Sequence, residues 1–470
     1  MDWSRRKLLS VGGLVTAGLA LPRLLFAESL ASSDADSKPG ARADKSTLPG
    51  KAKSCILFFM EGGPSHIDYW DLKPEAPEEI RGPYQPISTS VPGLQISDQL
   101  PSWAPIMEHL AVIRSVSHKV VDHNAGAYYT VTGHQPTRGA QLVTRPSRDN
   151  FPPIGSVLAK LQPTDQPLPD FIHIPKRMFN SGSFIPGQLS GFLGDAYDPL
   201  ITGDPSVDHF QIPGLQPLSG LDDQRLADRR RLLSEFRGLA TADAGPVVER
   251  MNRYYDKAFS LVTSPEVREA FNWRKEPQAI RERYGCGPGQ KHSGKLGHLC
   301  SSLLLARRLI EAGVRLVTVW AGDQVFDTHK QHYATMKKDL SPYLNIAFAA
   351  LIKDLVGRGM LDETLVVAMG EFGRTPRMGQ ITSAAGATLD GRDHWPNCYT
   401  LMLAGGGIQP GAVWGASDRL AANPVRDRVT PEDVMATIYA AMGVNPEIRI
   451  RDSLNRPHTL VDGTPIGALL

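Results

Sequence analysis

Six short apolar runs constrain the fold of this chain more than any other feature. Each is four to seven residues long, rich in β-branched or large apolar side chains, and ends at glycine or polar residues. Such runs are typical of strands buried on both faces of a parallel sheet. They lie at residues 55–60, 110–116, 171–174, 314–320, 365–369 and 399–404.

Segments with helical spacing separate several of these runs. They lie at residues 296–312, 343–356 and 431–442. The last one has a clear start, because Thr430 is a good capping residue and Pro431 stands at the first helical position. The alternation predicts an α/β fold with a mainly parallel sheet and helices on both faces.

The apolar runs are spread over nearly the whole chain, so residues 54–470 are predicted to form one large domain. Residues 221–283 differ in being charged and helical in character. Leu232, Leu233, Phe236 and Leu239 give this segment one apolar face. We expect a helical insertion or cap at this point.

The N-terminus has the order of an export signal. Arg5 and Arg6 precede an apolar run that ends near Ala27, the expected cleavage site, which is typical of a twin-arginine leader over residues 1–27. The alternative is an amphipathic N-terminal helix that happens to carry two arginines. The run is too short for a transmembrane anchor, and Arg23 interrupts it. We therefore expect export by the twin-arginine machinery to the periplasm or cell surface, without a stable membrane anchor.

Residues 28–53 are polar and predict a flexible tether. Removal of residues 1–27 lowers the number of basic residues from 51 to 47 and of acidic residues from 49 to 48. The remaining chain is nearly neutral. This composition argues against a nucleic-acid partner and against binding to an anionic membrane surface.

The four cysteines include no C-x-x-C pair, which excludes a zinc ribbon. Cys55 and Cys398 lie in apolar runs and are expected in the core. In an oxidising compartment, Cys286 and Cys300 could close a local loop by a disulfide.

Acidic and imidazole side chains accompany four of the apolar runs. In an open α/β sheet, ligands bind at the carboxyl ends of the strands, so these side chains are candidates for a common site. His66 and Asp68 would share a face if their segment were extended. The candidates are His66 and Asp68, Asp327 and His329, Glu371 and Arg374, and Asp393 and His394.

Mixed carboxylate and imidazole donors suit zinc, manganese or iron better than calcium, which prefers oxygen ligands. We therefore expect a divalent metal without thiolate ligation. The alternative for each single residue is structural. A lone histidine is often only hydrogen-bonded in the core, and an aspartate after glycine is often only a turn residue.

Several motifs together carry a resemblance to known proteins. They are the twin-arginine leader, Glu61-Gly62-Gly63-Pro64-Ser65-His66-Ile67-Asp68, Asp122-His123-Asn124, Thr132-Gly133-His134-Gln135-Pro136, Asp327-Thr328-His329, Glu371-Phe372-Gly373-Arg374-Thr375-Pro376 and Asp393-His394-Trp395-Pro396. With them the chain resembles an uncharacterised family of exported, sulfatase-like proteins, a distant relative of the alkaline phosphatase superfamily. The resemblance runs from residue 54 to the C-terminus.

The resemblance implies an alkaline phosphatase-like fold and specific metal ligands. One divalent metal would be held by Asp327, His329 and His394, and Glu371 would be the late carboxylate of a second metal. The early aspartate of the superfamily is missing, so His66 or Asp68 would have to substitute for it.

Two further positions depart from the superfamily pattern. Phe372 replaces the histidine that follows the late carboxylate. The position of the oxygen nucleophile is taken by His123, flanked by Asn124, so the usual covalent mechanism loses its nucleophile.

Three interpretations follow: attack by a metal-bound hydroxide, attack by His123 itself, or no catalysis. In the first, Arg374 would stabilise an anionic transition state. Its structural alternative is a buried ion pair with Glu371. The resemblance thus implies an exported metallohydrolase of a small-molecule or glycan sulfate or phosphate ester. The alternative function is a catalytically silent relative that binds a ligand or a surface partner.

Overall fold

A computed structural model describes residues 48–212, 223–239, 255, 258–290 and 296–470. The predicted leader, residues 1–27, lies outside the described residues, and so does the tether up to residue 47. Residues 48–53 are held against the domain by backbone hydrogen bonds. The Ala52 N–H donates to the Ala441 carbonyl at 3.1 Å, and the Lys53 N–H donates to the Glu363 carbonyl at 2.8 Å.

A mainly parallel sheet of eight strands forms the centre of the described structure, in the order β4-β3-β5-β1-β6-β7-β2-β8. All six apolar runs form strands of this sheet, which confirms the predicted α/β fold class. The strands are β1 (Ser54–Phe59), β2 (Leu110–Val116), β3 (Phe171–Ile174), β4 (Leu200–Ile201), β5 (Leu316–Trp320), β6 (Thr364–Met369), β7 (Tyr399–Ala404) and β8 (Val413–Trp414).

Strand β7 runs opposite to its neighbours. It pairs antiparallel with β6 and β2, whereas the other neighbouring pairs described in this sheet are parallel. The N-terminal end of β7 therefore lies at the edge where the other strands have their carboxyl ends. His394, five residues before β7, reaches that edge for this reason.

Helices cover both faces of the sheet. On one face, α6 and α7 pack against Ile56 and Phe58, and on the other face α1, α2 and α8 pack against Leu57 and Phe59. The three helices predicted from spacing are confirmed as α6, α7 and α8. The helices are α1 (His123–Thr132), α2 (Ile154–Leu161), α3 (Asp223–Leu239), α4 (Pro265–Phe271), α5 (Gln278–Arg283), α6 (Leu299–Glu311), α7 (Ser341–Gly357) and α8 (Pro431–Ala441).

The described part of the segment at 221–283 is mainly helical and contains α3, α4 and α5. The side chains of Phe236 and Leu239 lie outside the described residues, and Leu232 is exposed. Phe271 and Trp273, at the end of α4 and just beyond it, are buried against the same core as α6. The later part of the segment is therefore packed onto the domain.

All four cysteines are buried, as expected for Cys55 and Cys398. Cys286 and Cys300 do not form the disulfide that their spacing allows, although their thiols interact with each other. One described helix, His332–Gly357, is long and apolar enough to cross a membrane, but 61% of its most apolar window is buried inside the protein. Its side chains Leu344, Phe348 and Leu351 belong to the core.

The start of α8 provides a test of the local sequence rules. The Thr430 side chain accepts from the Asp433 N–H, and the Asp433 carboxylate accepts from the Thr430 N–H at 2.9 Å, which forms a capping box. We expect Thr430→Ala to lower the free energy of unfolding by about 1 kcal/mol. Urea denaturation checks this, with Thr430→Ser as the control that keeps the cap. Equal denaturation midpoints for both variants would contradict the role of the cap.

Candidate functional site

Four side chains converge at the carboxyl edge of the sheet. One donor atom from each of His123, Asp327, His329 and His394 lies within 4.8 Å of the others. His123 is the first residue of α1, Asp327 and His329 follow β5, and His394 precedes β7. The side chains of Asp327 and His329 are 16% and 18% exposed, so solvent reaches the cluster on their side.

Two of the histidines are fixed by carbonyl groups. The His394 Nδ1 lies 2.7 Å from the Val121 carbonyl oxygen, and the His329 Nδ1 contacts the Gly386 carbonyl oxygen. A carbonyl oxygen only accepts, so both Nδ1 atoms must donate, and each neutral ring keeps a lone pair on Nε2. The two Nε2 atoms are 3.0 Å apart. The His329 Nε2 lies 2.8 Å from Asp327 Oδ1, and the His394 Nε2 lies 3.2 Å from the same oxygen. Facing lone pairs beside a carboxylate oxygen are a donor set for a cation.

His123 completes the donor set. Its Nδ1 lies 2.5 Å from Glu371 Oε1, and its Nε2 lies 3.3 Å from Asp327 Oδ1. Burial lowers the pKa of His123, but hydrogen bonds and charge from Asp327 and Glu371 outweigh it and raise the pKa to about 9. Without a metal, a proton on His123 therefore supplies positive charge between the two carboxylates.

Arg374 is fully buried and contacts Asp327. Its guanidinium donates to Asp327 Oδ1 at 2.5 Å and to the Gly63 carbonyl at 2.9 Å, and it also contacts the Gly62 and Arg392 carbonyls. Burial opposes ionisation of Asp327, but the Arg374 charge and the three imidazoles hold its pKa well below the ordinary range. Arg374 therefore forms a buried ion pair, but with Asp327 and not with Glu371, the partner named in the structural alternative.

Glu371 and Glu61 are two buried carboxylates beside the cluster. Glu371 Oε1 accepts from the Gly62 N–H at 2.9 Å, and Glu61 Oε2 accepts from the Trp320 indole N–H at 2.8 Å. In the described part of the chain, Glu371 Oε2 and Glu61 Oε1 have no hydrogen-bond partner. Burial, together with the nearby charge of Glu371, raises the pKa of Glu61 to about 8.

Sequence reasoning did not assign Glu61 to the site, although a carboxylate directly after the first strand was a visible signal. It assigned the role of the missing early aspartate to His66 or Asp68, which the structure does not bring to the cluster. The two residues were expected to share a face if extended. They form a helical turn, His66–Tyr69, in which residues two apart point in different directions. The His66 Nε2 donates to the Ala421 carbonyl at 2.8 Å.

Asp68 is the centre of a buried polar network. Its carboxylate lies 2.9 Å from Arg392 Nε and 2.8 Å from His332 Nε2. The His332 Nδ1 in turn lies 2.6 Å from the hydroxyl of Thr328. Thr328 stands between the cluster residues Asp327 and His329 in the sequence. Burial opposes ionisation of Asp68, but Arg392 and His332 hold its pKa below the ordinary range.

This network connects the segments that carry the cluster. Arg392 precedes Asp393 and His394 in sequence, and its guanidinium also donates to the Thr375 carbonyl at 2.8 Å. Thr328 is flanked by cluster residues on both sides. Asp68 is therefore a positioning residue, because it fixes two of the loops from which the donor atoms come.

The side chain of Asn124 has a structural role, because its polar groups bond to neighbouring loops. Its side-chain oxygen accepts from the Asn180 amide at 2.9 Å, and its amide donates to the Thr144 carbonyl at 3.0 Å. These bonds attach two surface segments to the start of α1. The structure thus brings His123 into the cluster but commits the polar groups of Asn124 to neighbouring loops.

A family model described as a protein of unknown function, DUF1501, matches residues 52–470. No curated protein sequence matches the chain.

Three solved structures align with most of this chain at low identity. The lipoteichoic acid synthase LtaP from Listeria monocytogenes has 10% identity and a TM-score of 0.35, with 85% of this chain and 74% of that chain covered. A protein in the alkaline phosphatase superfamily from Vibrio parahaemolyticus has 11% identity and a TM-score of 0.37, with 90% and 72% covered. The phosphonate monoester hydrolase SpPMH from Silicibacter pomeroyi has 13% identity and a TM-score of 0.33, with 88% and 76% covered. None of these similarities assigns a reaction or a substrate to this chain.

If Asp68 positions the ligand loops, its substitution should lower the affinity for a metal although all four ligands remain. We expect Asp68→Asn to weaken zinc binding by about 10- to 100-fold. A competition titration against a chromophoric chelator measures this affinity, and thermal unfolding of the same samples measures stability.

Asp71→Asn is the matched control. Asp71 is equally buried and pairs with Lys73 at 2.9 Å and Arg114 at 3.5 Å, but its contacts do not include the loops that carry the cluster. We expect this variant to lose stability and keep its zinc affinity. Equal zinc affinities for the two variants would contradict the positioning role.

Proposed function

The chain belongs to the DUF1501 family, and we propose that this member is an exported, metal-dependent hydrolase of a sulfate or phosphate ester. The observation that carries this proposal is the convergence of three imidazole Nε2 atoms on one oxygen of Asp327. Imidazoles whose Nδ1 is held by an acceptor and whose Nε2 faces a carboxylate are arranged as ligands for a cation.

The donor set fits a divalent transition metal. His123, Asp327, His329 and His394 would hold it, and three nitrogen donors with one oxygen favour zinc, manganese or iron over calcium. Such a cation, when bound, supplies a Lewis acid that polarises an ester oxygen and lowers the pKa of a water molecule.

The surrounding residues have roles that follow from their contacts. Glu371 accepts from His123 Nδ1 and thereby directs Nε2 toward Asp327. Arg374 holds Asp327 in its ionised form, and its N–H groups are already occupied by protein oxygens. We therefore assign Arg374 to holding the ligand rather than to stabilising a transition state.

His123 is better suited to ligation than to nucleophilic attack. Both of its ring nitrogens face carboxylates, at 2.5 and 3.3 Å. This favours water as the attacking group over a covalent histidine intermediate. Burial raises the pKa of Glu61 to about 8 in the metal-free site, and a cation bound beside it would favour the ionised carboxylate. Its free oxygen and that of Glu371 are the donors available to a second cation.

The ester class and the site of action rest on sequence motifs. The sulfate or phosphate ester follows from the resemblance of the loops around Asp327, Glu371 and His394 to sulfatase-like proteins. Export follows from the paired Arg5 and Arg6 and the apolar run behind them. The substrate would then be a small molecule or glycan met in the periplasm or at the cell surface.

Metal analysis of the purified protein tests the donor set. We expect stoichiometric divalent transition metal in the wild-type protein and loss of it in His394→Ala, because this change removes one of four donors. His109→Ala is the control, since His109 is a partly exposed histidine outside the cluster. Absence of metal from the wild-type protein after incubation with zinc, manganese and iron would exclude the proposed site.

Catalysis is tested with a panel of aryl sulfates and aryl phosphates. We expect hydrolysis that requires added zinc, manganese or iron, disappears with a chelator and is lost in His394→Ala. The measurement is release of the phenolate, with His109→Ala as the reference for correct folding. A protein that holds its metal and hydrolyses none of these esters would instead be a binding protein.

A further inference from the structure

A cavity of about 220 Å³ lies near α1, since its lining residue Gly187 faces Tyr128, Val131 and Thr132 of that helix. Its lining includes Arg148, Arg177, Phe184 and Gln188. Phe184 belongs to a small hairpin formed by Phe179–Asn180 and Ser183–Phe184. Asn180 of this hairpin donates to Asn124, the residue after the cluster histidine His123. The hairpin that carries Phe184 is therefore attached to the start of the helix that carries a donor of the metal cluster.

Arg177 is the residue of this cavity whose charge is least satisfied. Its guanidinium carbon lies 3.6 Å from the centroid of the Phe184 ring, and its side chain is partly buried. Within the described ranges, the guanidinium has neither a carboxylate within salt-bridge distance nor a hydrogen-bonded acceptor, and the charge of Asp198, which is paired with Arg148, acts on it only from farther away. Burial also lowers the pKa of Arg177. A partly desolvated guanidinium that stacks on an aromatic ring lies parallel to the ring, and the N–H groups at its edge can donate hydrogen bonds to an anion.

The other polar groups of the cavity are already engaged. Arg148 pairs with Asp198 at 2.9 Å and also contacts Asp195. The Gln188 amide donates to the Met178 carbonyl at 2.9 Å, so Gln188 holds the loop in place. Recognition of a charged ligand would depend on Arg177.

The aromatic side chains next to this guanidinium are unusually accessible. Phe179 is 40% exposed and Phe184 is 41% exposed, with their rings in edge-to-face contact at 5.3 Å between centroids. An exposed ring beside a cation is complementary to a ligand that has both an apolar ring face and an anionic substituent. A sugar ring with a sulfate or carboxylate group has this combination.

We propose that this cavity binds a second anionic group of the substrate, separate from the group held at the metal cluster. The proposal rests on the proposed function, and it narrows the substrate to an anionic oligosaccharide with more than one charged group. Arg177 binds the sulfate or carboxylate, and the Phe184 ring supports the guanidinium and contacts the sugar. Arg177 is thus a specificity residue outside the metal cluster.

Calorimetric titration of the full chain tests this binding site separately from catalysis. The protein is first treated with chelator, and the probes are a heparin-derived hexasaccharide, which is sulfated, and a neutral hexasaccharide of N-acetylglucosamine. We expect binding of the sulfated probe alone. Arg177→Gln should weaken it by about tenfold, the loss typical of one charged hydrogen-bonding group. Phe184→Ala should also weaken it.

Arg283→Gln is the matched control, because Arg283 is an exposed arginine on α5 and the substitution removes the same charge. We expect this variant to bind like the wild-type protein. Equal affinities of Arg177→Gln and Arg283→Gln, or no binding of the sulfated probe, would overturn the proposal. Arg177-dependent binding without metal-dependent ester hydrolysis would support the cavity as an anion site and would contradict only the hydrolase function.

Discussion

The site depends on one crowded oxygen atom, Asp327 Oδ1. Three imidazole nitrogens and the Arg374 guanidinium lie within 3.3 Å of it. Each imidazole is turned by an acceptor behind it, which is a carbonyl for His329 and His394 and the Glu371 carboxylate for His123. Positive charge among the imidazole nitrogens, supplied by a proton or by a metal ion, stabilises this arrangement further.

The sequence could predict the sheet because its strands are buried on both faces. Continuous apolar runs such as those of β1, β5 and β6 are the direct consequence of that burial. The capped start of α8 and the family of the chain were predictable from local motifs in the same way. The reversed direction of β7 was not predictable, since an apolar run has no direction. His394 nevertheless reached the expected edge, because the antiparallel β7 begins there.

The donor residues Asp327, His329 and His394 could be proposed from their positions at strand ends. The hydrogen-bond and ion-pair partners of the other buried polar residues could not be predicted from the sequence. Arg374 pairs with Asp327 and Asp68 pairs with Arg392, because loop conformations decide which buried charges meet. The motif at His66 and Asp68 suggested ligands, yet a single helical turn directs both side chains elsewhere. Sequence spacing gives no information about such a turn.

On the proposed export route the protein would fold before it crosses the membrane. The donor atoms come from three distant segments, so the site can form only in the folded chain. Folding inside the cell would also let the cell select the metal, since affinity alone follows the Irving–Williams order.

X-ray absorption spectroscopy of the zinc-loaded protein tests the central claim most directly, because it reports the atoms bound to the metal. The account predicts nitrogen and oxygen ligands at about 2.0–2.1 Å, with the outer scattering typical of several imidazoles and no sulfur. The imidazole signal should decrease in His394→Ala. A spectrum with oxygen ligands alone, or one that His394→Ala leaves unchanged, would contradict the proposed site.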